Sequence, residues 1–296
     1  MDVFIIGATG FVGTAIDESL CVRGHHTIGT ARSETARAKL QARGTKAVMA
    51  DAANPRTLVE QARACDATIY CAQITDADAY RVETKALRML ARALAGTEKR
   101  FVYTSSVWVY GETGDEPARE ETPLAAPTLV ARRPELEAIT LAMSGLGIRA
   151  NIVRPGVVYG RGNGIPAMFV QSARERGASI VMGDGTNRWA TVEVHDLGEM
   201  FAAVLEQGHP GRAYNAVNGD AFAVRQIAEA ASRGAGAGGN ISFILPTALG
   251  PFSECLALDQ RVSGARAKAD LGWTPRSTSI VEELEFGSYL PSRKAS

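Results

Sequence analysis

The segment that most constrains the fold is VFIIGATGFVG, residues 3–13. A short apolar run is followed at once by three glycines at Gly7, Gly10 and Gly13. This pattern is typical of a buried strand that turns sharply into a helix, because the first glycine allows the turn and the third lets the helix pack on the strand. The sequence therefore predicts an α/β fold that begins with a strand, a tight loop and a helix.

The same loop predicts a phosphate site. Gly10 has no Cβ, so the backbone can approach a diphosphate closely, and the N–H groups at the start of a helix favour an anion. We expect Thr9, Phe11 and Val12 to contribute to this site together with the three glycines. The alternative is a turn that needs glycine for its geometry alone.

The end of the second predicted strand indicates which dinucleotide is bound. It reads TIGTARSE, residues 27–34, and contains no acidic residue before Glu34. In NAD sites a carboxylate at this point normally accepts a hydrogen bond from the ribose 2′-hydroxyl. Arg32 offers instead a guanidinium that can hold a 2′-phosphate through two hydrogen bonds. We therefore predict NADP as the cofactor. NAD stays open, because Arg32 could also be a solvated residue at a helix start.

Apolar runs alternate with helical patterns through the first half of the chain. Nearly unbroken apolar strands with helices between them predict a doubly wound parallel sheet, a Rossmann fold, with a smaller C-terminal lobe. We place the dinucleotide-binding domain at residues 1–155, with residues 190–220 returning to it, and a substrate-binding lobe at 156–296. Within the second half, the pattern predicts a helix with Asp196 as its N-cap.

Charge and hydropathy exclude several classes of protein. The 296 residues include 32 basic and 32 acidic ones, without a basic cluster, which argues against a nucleic-acid partner. No apolar run reaches the roughly 18 residues of a membrane helix, and the first strand begins too early for a signal peptide. The scattered histidines and acids show no metal-ligand spacing. We expect a cytoplasmic protein with a small-molecule substrate, no metal and no membrane partner.

Motifs along nearly the whole chain strengthen the first inference. They are GATGFVG (7–13), MADAANPRTL (49–58), CDATIYCAQ (65–73), FVYTSSVWVYG (101–111), IVRPGVVYGRG (152–162), VEVHDLGEMF (192–201) and KADLGWTPR (268–276). In this order they resemble the extended short-chain dehydrogenase/reductase superfamily, of the NAD-dependent epimerase/dehydratase type. The resemblance implies that Asp51 and Ala52 lie by the adenine, that Ala72 and Gln73 line the middle of the cofactor, and that Pro155 approaches the nicotinamide.

The resemblance also implies catalytic residues, and here the chain departs from the pattern. Ser106, four residues before Tyr110, matches the serine whose hydroxyl binds the reacting oxygen. The usual Tyr-x-x-x-Lys pair is missing, because no tyrosine or lysine occurs in residues 111–158. The chain thus resembles an atypical branch.

The stretch that should contain the pair is TLVARRPELEA, residues 128–138. If Glu137 takes the place of the glutamate that usually follows the lysine, Arg133 falls at the lysine and Leu129 at the tyrosine. A register two residues later gives Glu135 and Ala131 instead. Arg133 could bind ribose hydroxyls but will not titrate near neutrality.

The proton-transfer role is therefore vacant in the sequence. We name Tyr159 as a candidate, because it follows a strand at the edge where ligands bind in such sheets. Tyr110, the glutamates of the 128–138 stretch and His195 are further candidates, and each of these residues, Tyr159 included, could instead have a structural role. Arg188 and Trp189 could contact an acidic or aromatic ligand in the lobe.

The sequence thus predicts an NAD(P)-dependent oxidoreductase, or an epimerase/dehydratase-like enzyme, that acts on a small carbonyl or hydroxyl compound. The catalytic set is Ser106, Arg133 and Tyr159. Two alternatives stay open: a non-redox isomerase or lyase with a structural dinucleotide, and an NADP-binding sensor without catalysis. A homodimer is possible.

Overall fold

The computed structural model describes residues 1–73, 78–245 and 249–290, so residues 291–296 of the predicted lobe lie outside it. The strands are β1 Asp2–Ile6, β2 His26–Ala31, β3 Lys46–Met49, β4 Ala67–Tyr70, β5 Arg100–Thr104, β6 Arg149–Pro155, β7 Val157–Gly160, β8 Asn163–Gly164, β9 Ser179–Met182, β10 Arg188–Glu193, β11 Arg212–Ala216, β12 Ala221–Ala223 and β13 Ile241–Ile244. The α-helices are α1 Phe11–Val22, α2 Glu34–Ala42, α3 Pro55–Ala64, α4 Ala79–Leu94, α5 Arg133–Ala142, α6 Ala167–Arg176, α7 Val194–Gln207, α8 Val224–Gly234, α9 Pro251–Ala257, α10 Ala265–Leu271 and α11 Ile280–Phe286. Short 3-10 turns occupy Val107–Tyr110, Thr128–Val130 and Met143–Leu146.

Seven strands form the main sheet, in the order β11-β6-β5-β4-β1-β2-β3. Every neighbouring pair in it is parallel. The chain moves outward from β1 to β3 and then restarts on the other side at β4, so the carboxyl ends of β1 and β4 flank a crevice at the switch point. The predicted doubly wound parallel sheet is confirmed.

The sheet is buried on both faces because its strands are apolar on both faces. Along β1, Val3 and Ile5 join the core under α1 and α7, whereas Phe4 and Ile6 join the core under α3, α4 and α5. This alternation follows from the two-residue period of a strand. It explains why the strand reads as a continuous apolar run rather than as an alternating one.

The smaller elements surround a core of their own. A four-stranded sheet in the order β12-β10-β7-β8 and a two-stranded sheet of β13 and β9 pack with α6, α8 and α11 around a third apolar cluster. After β10 the chain returns to the main sheet, where α7 covers one face and β11 pairs with β6. This places the small sheets over the carboxyl edge of β6, which runs directly into β7.

The predicted N-cap of α7 is wrong. The helix begins at Val194, and the carboxylate of Glu193 accepts hydrogen bonds from the amides of His195 and Asp196. The carboxylate of Asp196 accepts instead from the amides of Arg276 and Ser277. Asp196 therefore joins α7 to a segment some 80 residues later in the chain, which local sequence reasoning does not reveal. Among the described residues, no helix has the length and apolar character needed to cross a membrane.

Candidate functional site

A cleft of about 950 Å³ opens at the carboxyl edge of the main sheet. Most of the predicted site residues line it, although they come from seven different segments of the chain. They are Gly7, Thr9, Gly10, Phe11, Val12, Arg32, Asp51, Ala52, Ala72, Gln73, Ser106, Arg133 and Pro155. The structure thus brings together the whole predicted cofactor set and two of the three predicted catalytic residues. Tyr159 is not among the lining residues.

The glycine loop has the conformation that its sequence predicts. Gly7 has a φ of +100°, a value that side chains rarely allow, and a Cβ there would lie 2.6 Å from the amide nitrogen of Ala72. The Gly7 amide donates to the hydroxyl of Thr30, at 3.0 Å, which fixes the loop against β2. Gly10 then caps α1 without any side chain, so the first amides of the helix face the cleft unshielded.

We expect Gly13 to be needed for folding and Gly10 for ligand binding, and alanine substitutions at the two positions should distinguish these roles. A Cβ at Gly13 would lie 2.1 Å from the carbonyl oxygen of Gly7, whereas a Cβ at Gly10 meets only that oxygen, at 3.4 Å. We expect Gly13→Ala to cost about 1–3 kcal/mol in the free energy of unfolding. Gly10→Ala should fold normally and lose dinucleotide affinity. Urea unfolding and calorimetry on both variants test this, and unimpaired binding by Gly10→Ala would contradict the phosphate role.

The adenosine end of the cleft is formed by the loops that follow β2 and β3. Arg32 and Asp51 line it, and Arg32 forms no ion pair among the described residues. The hydroxyl of Ser33 caps α2 by accepting from the amide of Ala36, at 3.2 Å, so it is already engaged. Arg32 is therefore the group of this loop that remains for an anionic ligand.

The opposite end of the cleft contains hydroxyl groups from the end of β5. Ser106 caps the turn Val107–Tyr110, its Oγ accepting from the amide of Trp108 at 3.1 Å, which leaves its proton available for another acceptor. The hydroxyls of Thr104 and Ser105 have no hydrogen-bond partner among the described residues. This end therefore presents one free donor, the hydroxyl of Ser106, while the unpaired oxygens of Thr104 and Ser105 are buried.

Arg133 lies at the same end. Its Nη1 donates to the carbonyl oxygen of Thr104 at 3.0 Å and lies 3.5 Å from the hydroxyl of Tyr103. Behind it, the Tyr103 hydroxyl donates to the buried carboxylate of Glu83, at 3.0 Å. Burial raises the pKa of Glu83, and the charge of Arg133 partly offsets this. Glu83 was not among the residues predicted from the sequence, although an acidic residue within the apolar positions of α4 could have indicated it.

The structure distinguishes the two registers proposed for residues 128–138. Glu137 is buried and binds Arg154 through both carboxylate oxygens, at 2.9 and 2.5 Å. Glu135 is exposed and pairs with Arg132 on the surface. Arg133 and Leu129 line the cleft, as the register that pairs them with Glu137 requires. The arrangement favours that register.

The helix that normally carries the pair is interrupted in this chain. Leu129 belongs to the 3-10 turn Thr128–Val130, and α5 begins only at Arg133, with Pro134 in its first turn. In the favoured register, the residue aligned with the usual tyrosine is Leu129, whose apolar side chain is 49% exposed.

Both tyrosines considered as proton donors are buried away from the cleft. The hydroxyl of Tyr159 donates to the carbonyl oxygen of Thr278 at 2.6 Å and accepts from Asn218 at 2.5 Å, and burial raises its pKa. Tyr110 donates to Asn215 at 2.7 Å. Neither lines the cleft, so neither is placed to transfer a proton there.

The remaining candidates also lie elsewhere. His195 is exposed at the start of α7 and does not line the cleft. Arg188 forms two hydrogen bonds to the carboxylate of Asp259, at 2.8 and 2.6 Å. Trp189 is buried and donates to the carbonyl oxygen of Leu256, at 3.0 Å. The prediction that these two residues contact a ligand is not supported, because both are committed to packing within the smaller sheets.

Comparison with known proteins identifies the family. The sequence profile of the NAD dependent epimerase/dehydratase family matches residues 3–217. The chain belongs to the NAD-dependent epimerase/dehydratase family. Members of this family are oxidoreductases, epimerases and dehydratases that use a nicotinamide dinucleotide, so this epimerase/dehydratase-family protein is an enzyme of that broad type.

Three relatives show how far the likeness extends. An uncharacterized protein of Schizosaccharomyces pombe is 27% identical over 98% of this chain and 100% of its own length. A dTDP-6-deoxy-L-talose 4-dehydrogenase (NAD(P)(+)) of Kitasatospora kifunensis is 26% identical over 95% of this chain and 94% of its own. The crystal structure of a dTDP-glucose 4,6-dehydratase double mutant from Streptomyces venezuelae, with NAD bound, superposes with a TM-score of 0.83 at 18% identity, covering 98% of this chain and 96% of that one. The last comparison establishes the fold.

Proposed function

We propose that this protein is an NADP-dependent oxidoreductase that interconverts a small carbonyl compound and its alcohol. The observation that carries the proposal is that three groups line one and the same cleft: Arg32 after β2, the N-terminus of α1 and the hydroxyl of Ser106. These are the groups needed for the 2′-phosphate, the diphosphate and a reacting oxygen.

The residues present fit a nicotinamide dinucleotide. Gly7 cannot accept a Cβ, and Gly10 leaves its cradle open. The unpaired hydroxyls of Thr104 and Ser105 are buried polar groups that need a partner. Arg133 stands beside them and would hold ribose hydroxyls in place of the usual lysine.

When bound, the dinucleotide supplies the hydride chemistry, and the protein supplies orientation and electrostatics. Ser106 donates a hydrogen bond to the substrate oxygen, which stabilises negative charge on that oxygen in the transition state. Arg133 contributes a positive charge beside this end of the cleft. Leu129 provides no proton donor, so the proton exchanged at the substrate oxygen comes from solvent.

The test is NADPH consumption, followed by absorbance at 340 nm with a panel of aldehydes and ketones. We expect turnover with at least one carbonyl class, slower than in an enzyme with a positioned acid, which is typically worth 10²- to 10⁴-fold in rate. Tight NADPH binding without turnover on any class would contradict the proposal and favour a sensor. A non-redox lyase would need Glu135 or His195 in the cleft, and neither lines it.

Arg32→Ala tests the choice of cofactor. Charge-assisted bonds to the 2′-phosphate are lost, so we expect the Kd for NADPH to rise by about 10- to 100-fold while the Kd for NADH stays unchanged. Arg37→Ala is the matched control, because this exposed arginine lies on the adjoining helix outside the cleft. Calorimetry measures both constants. An equal rise in the Kd for NADPH and for NADH would show that Arg32 does not bind the 2′-phosphate.

A further inference from the structure

Hydrocarbon side chains surround the end of the cleft where Ser106 lies. Trp108 comes two residues after this serine and meets the ring of Phe252 edge-on, with 6.1 Å between ring centroids. Leu129 and Ile165 also line the cleft. The helix that contains Phe252 is tied to the turn that contains Leu129, because the amide of Thr128 donates to the carboxylate of Glu254 at 3.1 Å. These side chains form one apolar wall.

The charges along the cleft are placed for the cofactor rather than for a second anion. Of the described residues that line it, three are charged: Arg32, Asp51 and Arg133. The first two follow β2 and β3, at the adenosine end. Arg133 is held on the backbone at the end of β5, where the predicted ribose contact lies. Among the described residues, Arg133 is therefore the one cation at the end of the cleft that contains the apolar wall, and its guanidinium is held by the carbonyl oxygen of Thr104.

Three arginines in the second half of the chain are already engaged elsewhere. Arg188 binds the Asp259 carboxylate, and Arg261 donates to the carbonyl oxygen of Asp115 at 2.8 Å. Arg225 lies over the ring of Phe243 and donates to the carbonyl oxygen of Asp184. None of the three lines the cleft. A diphosphate placed against the apolar wall would lose its hydration, whereas the two cations among the described lining residues, Arg32 and Arg133, are those we assign to the cofactor.

We propose that the substrate is a neutral, apolar ketone or aldehyde whose aryl or alkyl body packs against Trp108, Leu129, Ile165 and Phe252, and not a nucleotide sugar. This inference rests on the proposed function. In the step it implies, the carbonyl carbon gains a hydride, the π electron pair of the C=O bond moves to the oxygen, and that oxygen takes a proton from solvent. The carbonyl is thereby reduced to an alcohol, and one NADPH is converted to NADP⁺.

Equilibrium binding tests the substrate class without relying on turnover. The protein saturated with NADP⁺ is titrated with phenyl alkyl ketones of increasing chain length and, separately, with UDP-glucose, by calorimetry and by tryptophan fluorescence. We expect affinity to rise about fourfold for each added methylene, and no heat with UDP-glucose. Trp189 and Trp273 are buried, so the fluorescence change reports Trp108, and Trp108→Phe should abolish it.

Three variants sharpen the test. Phe252→Ala should weaken ketone binding by about 10-fold or more while leaving the Kd for NADPH unchanged. Phe286→Ala removes an exposed phenylalanine far from the cleft and should change neither constant. Leu129→Asp, at a half-exposed position that tolerates a charge, should abolish ketone binding in a folded protein. UDP-glucose binding with no ketone binding would overturn this inference alone, whereas absence of NADPH binding would overturn the proposed function itself.

Discussion

Replacing Ser106 by alanine is expected to lower kcat by about 10²- to 10³-fold, the effect of removing one donor to a developing oxyanion. The Kd for NADPH should stay unchanged, because the backbone of the glycine loop and Arg32 supply the dinucleotide contacts we propose. The effect is large because Leu129 supplies no second donor at this end of the cleft. Single-turnover absorbance at 340 nm gives the rate of the chemical step, and calorimetry gives the affinity.

A matched pair of variants separates this role from a structural one. Ser106 also caps the turn Val107–Tyr110, so alanine costs about 1 kcal/mol in stability as well. Ser106→Thr keeps a hydroxyl for both purposes and should retain most of the rate. Ser105→Ala removes the neighbouring hydroxyl, which has no partner, and should have a smaller effect. A larger loss in Ser105→Ala than in Ser106→Ala would assign the reacting oxygen to Ser105.

The cofactor half of the cleft could be predicted from the sequence because its residues follow strands. In a parallel sheet the carboxyl ends of the strands meet at one edge, so Gly10 after β1, Arg32 after β2 and Ala72 after β4 had to converge there. The apolar strands themselves required a sheet covered on both faces. In this half, local pattern and global topology agree.

The remaining candidates could be predicted only in part: Ser106 and Arg133 do line the cleft, but Arg188 and Tyr159 do not, because their partners are distant in sequence. Arg188 looked available for a ligand until the structure paired it with Asp259, 71 residues later. Tyr159 lies in β7 of the four-stranded sheet, and its hydroxyl donates to the carbonyl oxygen of Thr278, 119 residues later. Local spacing predicts which edge a residue reaches. It does not predict which other segment already binds that residue.

Replacing Glu137 by alanine is expected to lower the free energy of unfolding by about 3–5 kcal/mol, since it leaves the Arg154 guanidinium charged and unpaired in the interior. The two side chains are only 2% and 5% exposed, and Arg154 also donates to the hydroxyl of Tyr110, at 2.7 Å. Burial alone would lower the pKa of Arg154, but hydrogen bonding to Glu137 raises it, so the charge persists. Urea unfolding measures the loss.

Glu135→Ala provides the control on the same helix. Its partner Arg132 is exposed, so that change should cost about 0–1 kcal/mol. The double variant Glu137→Leu/Arg154→Met should recover much of the stability, because an apolar pair replaces a buried charge pair without leaving either charge alone. Glu137 lies one helical turn after Arg133 on α5. Removing the Glu137 carboxylate should therefore also make the position of the Arg133 side chain less fixed and raise the Kd for NADPH. Equal costs for Glu137→Ala and Glu135→Ala would show that the buried pair does not anchor this helix.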